Sequence, residues 1–300
     1  LFQVFFLAIG GYPCLFSMRL IIMKVDLHCH TTASDGILSP ASLVRRCVEE
    51  KVSVCAIADH DTIAGIYEAS QEGKSSGVDI IGACEFSVKS AHGDFHLLGY
   101  GIDPGNPRLV SELQRIKSVR EKRIPMIVEK LRESGVMIDA DEVFAEAKGG
   151  APGKPHVARI LVKRGYADDF EIAFTTYLGK GAPGNVPKEK IDPELAFELI
   201  RESGGIAVCA HPKSLGISCE DTERYLSRYI PLGLKGIEVY ANMHSPEDVL
   251  CYIDMTARLG LFTTGGSDFH GDKNESIGFY GQGRPVPESC ARSLLDAMGV

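Results

Sequence analysis

The sequence predicts an α/β fold, a parallel sheet closed or nearly closed into a barrel and interrupted by a helical insert. Three features predict it. Short apolar runs alternate with helical stretches from Leu20 to Ile102 and again after residue 191, the rhythm of repeated βα units. Residues 106–178 break that rhythm, carrying helical patterns with no strand between them. The apolar runs end, one after another, in His, Asp or Glu, and the shared end of a parallel barrel is where functional side chains gather.

Residues 20–27 (LIIMKVDL) read as the first buried strand. Ser39 before Pro40 supplies an N-cap and a proline at the first helical position, opening a helix to about Lys51. VSVCAIA at 52–58 is the second strand, Thr62 caps a helix to about Ser75, and VDIIGAC at 78–84 is the third strand. Residues 86–102 read as a hairpin turning near His92-Gly93. The insert covers residues 105–190 and ends in a Gly/Pro-rich loop at 179–187. A helix at 193–203 stops at Gly204-Gly205. Strands follow at 206–210, 236–241 and 261–268, with helices near 220–229, 246–259 and 287–298. The barrel domain is thus expected over residues 18–104 and 191–300.

Of 300 residues, 44% are hydrophobic and 24% charged, ordinary values for a chain with a real core. The net charge of −8 argues against coating long nucleic acid, which needs a positive field. Charge is uneven: residues 105–190 hold 16 Lys/Arg against 12 Asp/Glu, so the rest of the chain is strongly acidic. An acidic body suits cations and a basic insert suits an anion, unless the imbalance only reflects the solvated faces of helices. The nine cysteines are scattered with no C-x-x-C pair. That argues against a disulfide framework or a cysteine zinc site and for a reducing cytoplasm. Residues 1–17 are apolar and uncharged, yet they lack the basic start of a secretory signal, and Gly10, Gly11 and Pro13 interrupt them as a span. With Met18 or Met23 as an alternative start, this leader is left out of the fold.

The chemistry is concentrated at the strand ends. The first strand closes in Asp26-Leu27-His28-Cys29-His30. Residues two apart share a face of a strand, so His28 and His30 can grip one cation together. Asp35 follows in a Ser-Asp-Gly turn, the second strand ends in Asp59-His60-Asp61, and the third ends at Glu85. His96 lies on the hairpin, His211 follows the strand 206–210, and Asp268 and His270 again stand two apart after the last strand. One such histidine reads as structural; a ring of imidazoles and carboxylates suits Zn, Mn or Fe better than Ca or Mg. Nine donors, with Glu85 able to bridge, allow two or three divalent ions.

The strings DLHCHTTASDG, IADHDT, AHP and GGSDFH, with the strand-ending Glu85 among them, closely resemble the PHP (polymerase and histidinol phosphatase) family. GKPHVAR at 153–159 and YLGKGAPGNVP at 177–187 resemble its nucleotide phosphoesterase branch. That branch includes AMP and 3′,5′-nucleoside bisphosphate phosphatases, and exoribonucleases on short RNA. The resemblance implies a distorted (β/α)7 barrel with a trinuclear site. His28, His30, Glu85 and Asp268 would hold one metal, Glu85, His96 and His211 a second, and Asp35, His60 and His270 a third. Asp35 stands where many family members have His, and Lys154 and Lys180 where related proteins usually have Arg. Lysine gives up bidentate phosphate contact.

Two cations a few Å apart lower the pKa of a water between them and clamp the oxygens of an in-line displacement. That chemistry needs no Ser or Cys nucleophile, and the chain lacks G-x-S-x-G and H-E-x-x-H. Its Gly73-Lys74-Ser75 has Glu68 where a phosphate-binding loop needs glycine. The expected activity is hydrolysis of a nucleotide phosphomonoester, AMP or a 3′,5′-bisphosphonucleoside. The expected partner is a small nucleotide or short RNA, with neither a membrane nor long double-stranded nucleic acid. Asp61 is expected to orient a neighbour or shuttle a proton, unless it is only a helix N-terminal acid. His244 is expected to reach substrate or protonate the leaving alkoxide, unless it is a surface residue in a capping turn. Lys154, His156, Arg159 and Lys180 are expected to hold a second phosphate or the ribose, unless they are solvated helix charges. A 5′–3′ exoribonuclease on short oligonucleotides and a histidinol-phosphate phosphatase are the rival enzymes, the basic insert counting against the second. A non-catalytic metal-binding module ranks last.

Overall fold

The computed structural model describes residues 23–271 and 275–300, so the leader at 1–17 lies outside the described residues. β1 (Lys24–Cys29), α1 (Pro40–Glu49), β2 (Val52–Ile57), α2 (Ile66–Ser76) and β3 (Asp79–Val88) form two βαβ units with parallel strands. Ser39 caps α1 through the Ser42 N–H, with Pro40 at the first helical position. α2 starts later than expected: Thr62 accepts the Ala64 N–H in a turn, and the helix is entered at Gly65. β3 turns back into β4 (Phe95–Tyr100), which pairs antiparallel with β3 and with β5 (Ile206–Cys209). The sheet is therefore mixed where a parallel one was expected, because a tight hairpin can only return antiparallel. β6 (Leu234–Tyr240) and β7 (Phe262–Gly265) complete seven strands in chain order. Beyond β7, Phe269 bridges Cys29 and brings the end of the sheet back to its start. This is the curled βα barrel that the strand rhythm predicts.

α3 (Pro107–Glu133), α4 (Ala140–Glu146), α5 (Lys154–Lys163) and α6 (Phe170–Ala173), continued by a π-turn at Phe174–Leu178, fill the inserted stretch. α3 serves two bodies. Its Leu109, Leu113 and Ile116 belong to the barrel core, whereas Ile124, Ile127 and Leu131 join a second core with Val157, Leu161 and Leu178. Pro125 sits at the changeover and leaves the carbonyl one turn back without its helical partner. α7 (Pro193–Glu202), α8 (Cys219–Ser227), α9 (Pro246–Leu259) and α10 (Glu288–Met298) bury Phe197, Leu226, Met255 and Leu294 against the strands. A small hairpin, β8 (Phe279–Tyr280) with β9 (Arg284–Pro285), was not anticipated. Cys219 and Cys251 form one disulfide between α8 and α9, where the scattered cysteines argued against a disulfide framework. They stand 32 residues apart, and only the docking of two helices makes them neighbours. No described helix is long and apolar enough to cross a membrane.

Candidate metal centre

Alternation along β1 puts Asp26, His28 and His30 on one face and the buried Cys29 on the other. Glu85, at the mouth end of β3, is the hub. Its oxygens lie 2.7 Å from His60 Nδ1, 2.8 Å from His211 Nε2, 2.9 Å from His96 Nδ1, 3.4 Å from His28 Nε2 and 3.5 Å from His30 Nε2. Asp268 Oδ1 lies 3.0 Å from His30 Nε2, 3.6 Å from His28 Nε2 and 3.7 Å from His270 Nδ1. Asp35 faces His270 at 3.5 Å, His30 Nδ1 at 3.9 Å and His60 Nε2 at 4.0 Å. All nine residues expected as ligands thus stand in one cluster. Their donor atoms group as His28–His30–Asp268, His28–Glu85–His211, His60–Glu85–His96 and His30–Asp35–His60–His270. The grouping differs from the expected sets in three details: Glu85 stands outside the His28–His30–Asp268 group, His30 also turns toward Asp35, and His96 and His211 share Glu85 with different histidines. His92 sits apart on the hairpin, edge-on to Tyr225.

Whether these residues fit metal is tested by their unmet donors. His28 Nε2, both ring nitrogens of His30, Asp35 Oδ1, His60 Nδ1, Glu85 Oε2, His96 Nδ1 and Asp268 Oδ1 are buried and make no well-aligned hydrogen bond, although His60 Nδ1, His96 Nδ1 and His30 Nε2 face carboxylate oxygens at 2.7, 2.9 and 3.0 Å. Buried polar atoms are almost always properly hydrogen-bonded, so imidazoles and carboxylates that converge without aligned bonds are a donor set suited to divalent cations. The charges in the cluster are strongly coupled. Burial disfavours the ionised form of Glu85, yet His60, His96 and His28 around it hold its carboxyl well below the usual range. Burial also opposes charge on His211 and His270, but Glu85 and Asp35 respectively outweigh it, raising these rings to about 9 and about 10. His30 goes the other way, to about 3, through burial and the nearby His270.

Three further buried acids hold the ligand loops without joining the cluster. Asp26 accepts from the N–H groups of His28, Ser267 and Gly278 and from Ser267 Oγ, tying β1 to the loop that carries Asp268. Asp59 accepts from Thr31 N–H, Thr31 Oγ1 and Ser34 Oγ and so shapes the loop that carries Asp35. Glu238, on β6, takes His28 Nδ1 at 2.9 Å and the His211 N–H at 2.8 Å. A side chain at Gly266 would meet the His28 backbone N at 2.5 Å, so this corner of the mouth admits only glycine. Asp61, His211 and Asp268 carry positive φ values of 50°, 20° and 55°, backbone strain of the kind that functional sites hold.

The PHP domain family matches residues 26–175, half of the chain. The chain belongs to the PHP domain family. It is 36% identical to a 5′-3′ exoribonuclease of Haemophilus influenzae over 82% of this chain and 90% of that relative. It is 32% identical to a 3′,5′-nucleoside bisphosphate phosphatase of Chromobacterium violaceum over 90% of this chain and 96% of that one. Among solved structures it resembles an amidohydrolase from Chromobacterium violaceum, with a TM-score of 0.82 at 30% identity over 92% of this chain and 96% of the other. The family and enzyme class read from the motifs, a PHP metal-dependent phosphoesterase, agree with these findings.

The insert brings cations to this PHP centre, though not all of those expected. Asp61 is buried with both oxygens taken: Ser87 N–H binds Oδ1 at 2.7 Å, while Arg120 and Lys188 (3.3 Å) hold Oδ2. Arg120 also donates to the His60 carbonyl at 3.3 Å. Arg123 is buried and donates only to the Val186 carbonyl; burial and Arg120 lower it to about 10. Lys154 reaches the Leu178 carbonyl and Asn185 Oδ1, and burial together with Arg123 brings it to about 8. Lys188 is likewise brought to about 8 by burial and Arg120. Arg159 donates to the Asp35 carbonyl at 2.5 Å, and with the buried His156 lines a small cleft against Thr32 and Ile37. Lys180 is exposed and takes no part in these contacts. His244 is buried, donates Nδ1–H to the Val239 carbonyl at 2.7 Å and leaves Nε2 without a partner. Sequence reasoning missed Arg120, Arg123 and Lys188. The signal for the two arginines is there, since they fall on the apolar stripe of α3 between Leu113, Ile116 and Ile127.

Proposed function

We propose that the chain hydrolyses nucleotide phosphomonoesters that carry a second phosphate, 3′,5′-bisphosphonucleosides ahead of AMP. His28, His30, Asp35, His60, Glu85, His96, His211, Asp268 and His270 hold two or three divalent ions, Mn, Zn or Fe. One observation carries the reading: a donor cluster short of cations faces a wall with too many. Arg120, Arg123, Lys154 and Lys188 crowd the insert side, and among the described residues Asp61 is the only carboxylate paired with them. Cations so close together lower one another's pKa and favour an anion between them.

Bound ions supply charge neutralisation and an activated water. The chain's own residues do the rest. Of the two roles expected of it, Asp61 takes the orienting one, as an anchor for Arg120 and Lys188, and not the proton shuttle: both oxygens are occupied, and burial is outweighed by Lys188 and Arg120, which keep the carboxyl ionised. His244 is a neutral acceptor at Nε2, because its proton is committed to Val239 and burial lowers its pKa. It takes a hydrogen bond from a substrate hydroxyl and does not protonate the leaving group. Arg123 and Lys154 grip the second phosphate, Arg159 and His156 stand toward the ribose side, and Lys180 drops out.

A 5′-phosphorylated oligonucleotide presents the same pair of anions, so the exoribonuclease reading uses the same wall. The test is turnover of AMP, a 3′,5′-bisphosphonucleoside, a 5′-phosphorylated trinucleotide and histidinol phosphate with added Mn, Zn or Fe. We expect kcat/KM for the bisphosphate to exceed that for AMP by on the order of tenfold, a charge-assisted contact or two. Arg123→Met removes that advantage and leaves AMP turnover nearly unchanged. Equal turnover of AMP and bisphosphate, or turnover of histidinol phosphate alone, overturns the reading.

A further inference from the structure

Six described cysteines are buried free thiols, Cys29, Cys47, Cys55, Cys84, Cys209 and Cys290. Cys219 and Cys251 differ: they are half-buried and joined, with Cα atoms 6.6 Å apart. The bond ties the first turn of α8 to the second turn of α9. These helices follow the loops that carry His211 and His244.

The loop from His211 to Ser218 is gripped from two sides. On one, Gly93 and Asp94 N–H groups of the β3–β4 hairpin donate to the Leu215 and Ser214 carbonyls, each at 2.9 Å. On the other, Lys213 pairs with Asp248 of α9, and the disulfide fixes the loop's exit to that same helix. Within the loop, Ser214 Oγ meets His211 Nδ1 at 3.1 Å and so orients the ring toward Glu85.

We propose that Cys219–Cys251 is a reversible dithiol/disulfide site whose state sets how firmly this loop presents His211, and with it the affinity of the ion shared with Glu85. The last clause rests on the metal-centre reading above. Oxidation joins the two thiols by exchange with a low-molecular-weight disulfide such as oxidised glutathione. The pair loses two protons and two electrons, and the oxidant leaves as two thiols; a dithiol in excess reverses the step. Half-burial gives such reagents access, which the six buried thiols lack.

The test takes the full chain, stripped of metal, in three forms: treated with oxidised glutathione, treated with a dithiol, and as the C219S/C251S variant. Alkylation read by peptide mass spectrometry is expected to differ between the first two at Cys219 and Cys251 and not at the six buried cysteines. Amide exchange over residues 211–218 is expected to run on the order of tenfold faster in the reduced and variant forms, with α1 and α2 unchanged. Manganese affinity is expected to fall on the order of threefold with the bond open. The reduced natural chain reports the same effect should the variant fold poorly. Alkylation that never differs at the pair, or equal loop exchange in all forms, overturns the proposal. Equal manganese affinity with a responsive loop overturns the link to His211. A responsive loop with no manganese bound in any form upholds the staple and removes the metal-centre reading instead.

Discussion

Glu238→Gln isolates the support of the metal centre from its ligands. The carboxylate is fully buried and accepts two hydrogen bonds, from His28 Nδ1–H at 2.9 Å and from the His211 N–H at 2.8 Å. Hydrogen bonds to a charged acceptor contribute about 1.5–3 kcal/mol each. Glutamine keeps the shape and one acceptor oxygen, but it sets an amide NH₂ against one of the two donors. One charged bond is lost and the other becomes neutral. Partners of this kind, which hold a ligating histidine through its far nitrogen, typically govern about 10–100-fold in metal affinity, or about 1.4–2.8 kcal/mol. We expect Glu238→Gln to bind manganese or zinc about 10–100-fold more weakly, read by competition with a chelating dye. Circular dichroism should be unchanged, and activity should return in part at high metal. Affinity within twofold of the natural chain at unchanged stoichiometry would refute the reasoning, since His28 would then not depend on Glu238.

Two further outcomes follow from the same charges. In the metal-free protein, burial opposes protonation of His211 and His270 but Glu85 and Asp35 outweigh it, placing them at about 9 and about 10. Burial opposes charge on His28 as well, but Glu238 and Glu85 outweigh it and hold that ring well above the ordinary value. Metal must displace all three protons, so calorimetry at pH 7 in buffers of different ionisation heat should show about three protons released, with affinity rising toward pH 9; no release would contradict the assignment. Because these folded values lie above the unfolded value of 6.5, the metal-free chain holds their stabilisation fully below that pH. It loses it as pH climbs through about 9 to 10. Asp61→Asn leaves Arg120 and Lys188 facing one another with no counter-charge. We expect a loss of about 3 kcal/mol in urea unfolding, the size seen when one partner of a buried pair is removed. A loss below about 0.5 kcal/mol, as for a surface pair, would contradict the anchor.

The barrel and its ring of ligands were legible because two periodicities coincide in the sequence. Strand alternation pairs His28 with His30, and each βα repeat delivers its last residues, His60, Glu85, His211 or Asp268, to the same end. Glu238 was not legible, since a single acid inside the apolar run GIEVYA gives no hint of whether it faces the barrel or solvent. The pairing of Cys219 with Cys251 depends on how α8 and α9 dock, which no spacing encodes. Arg120 and Arg123 were readable as charges on an apolar stripe, but their partners Asp61 and Val186 come from distant chain. Lys188 lies in a Lys-Glu-Lys run that looks like ordinary solvated charge.

The 27 residues of α3 form a rod about 40 Å long, built at one end into the barrel and at the other into the insert. Midway along it, Arg120 grasps both the carbonyl of His60 and the carboxylate of Asp61. The middle of the helix is thereby fastened to the corner where His60 follows its strand. One residue added between Ile116 and Arg120 would turn everything beyond it by about 100° and carry the guanidinium off its target. The phase of this rod is locked.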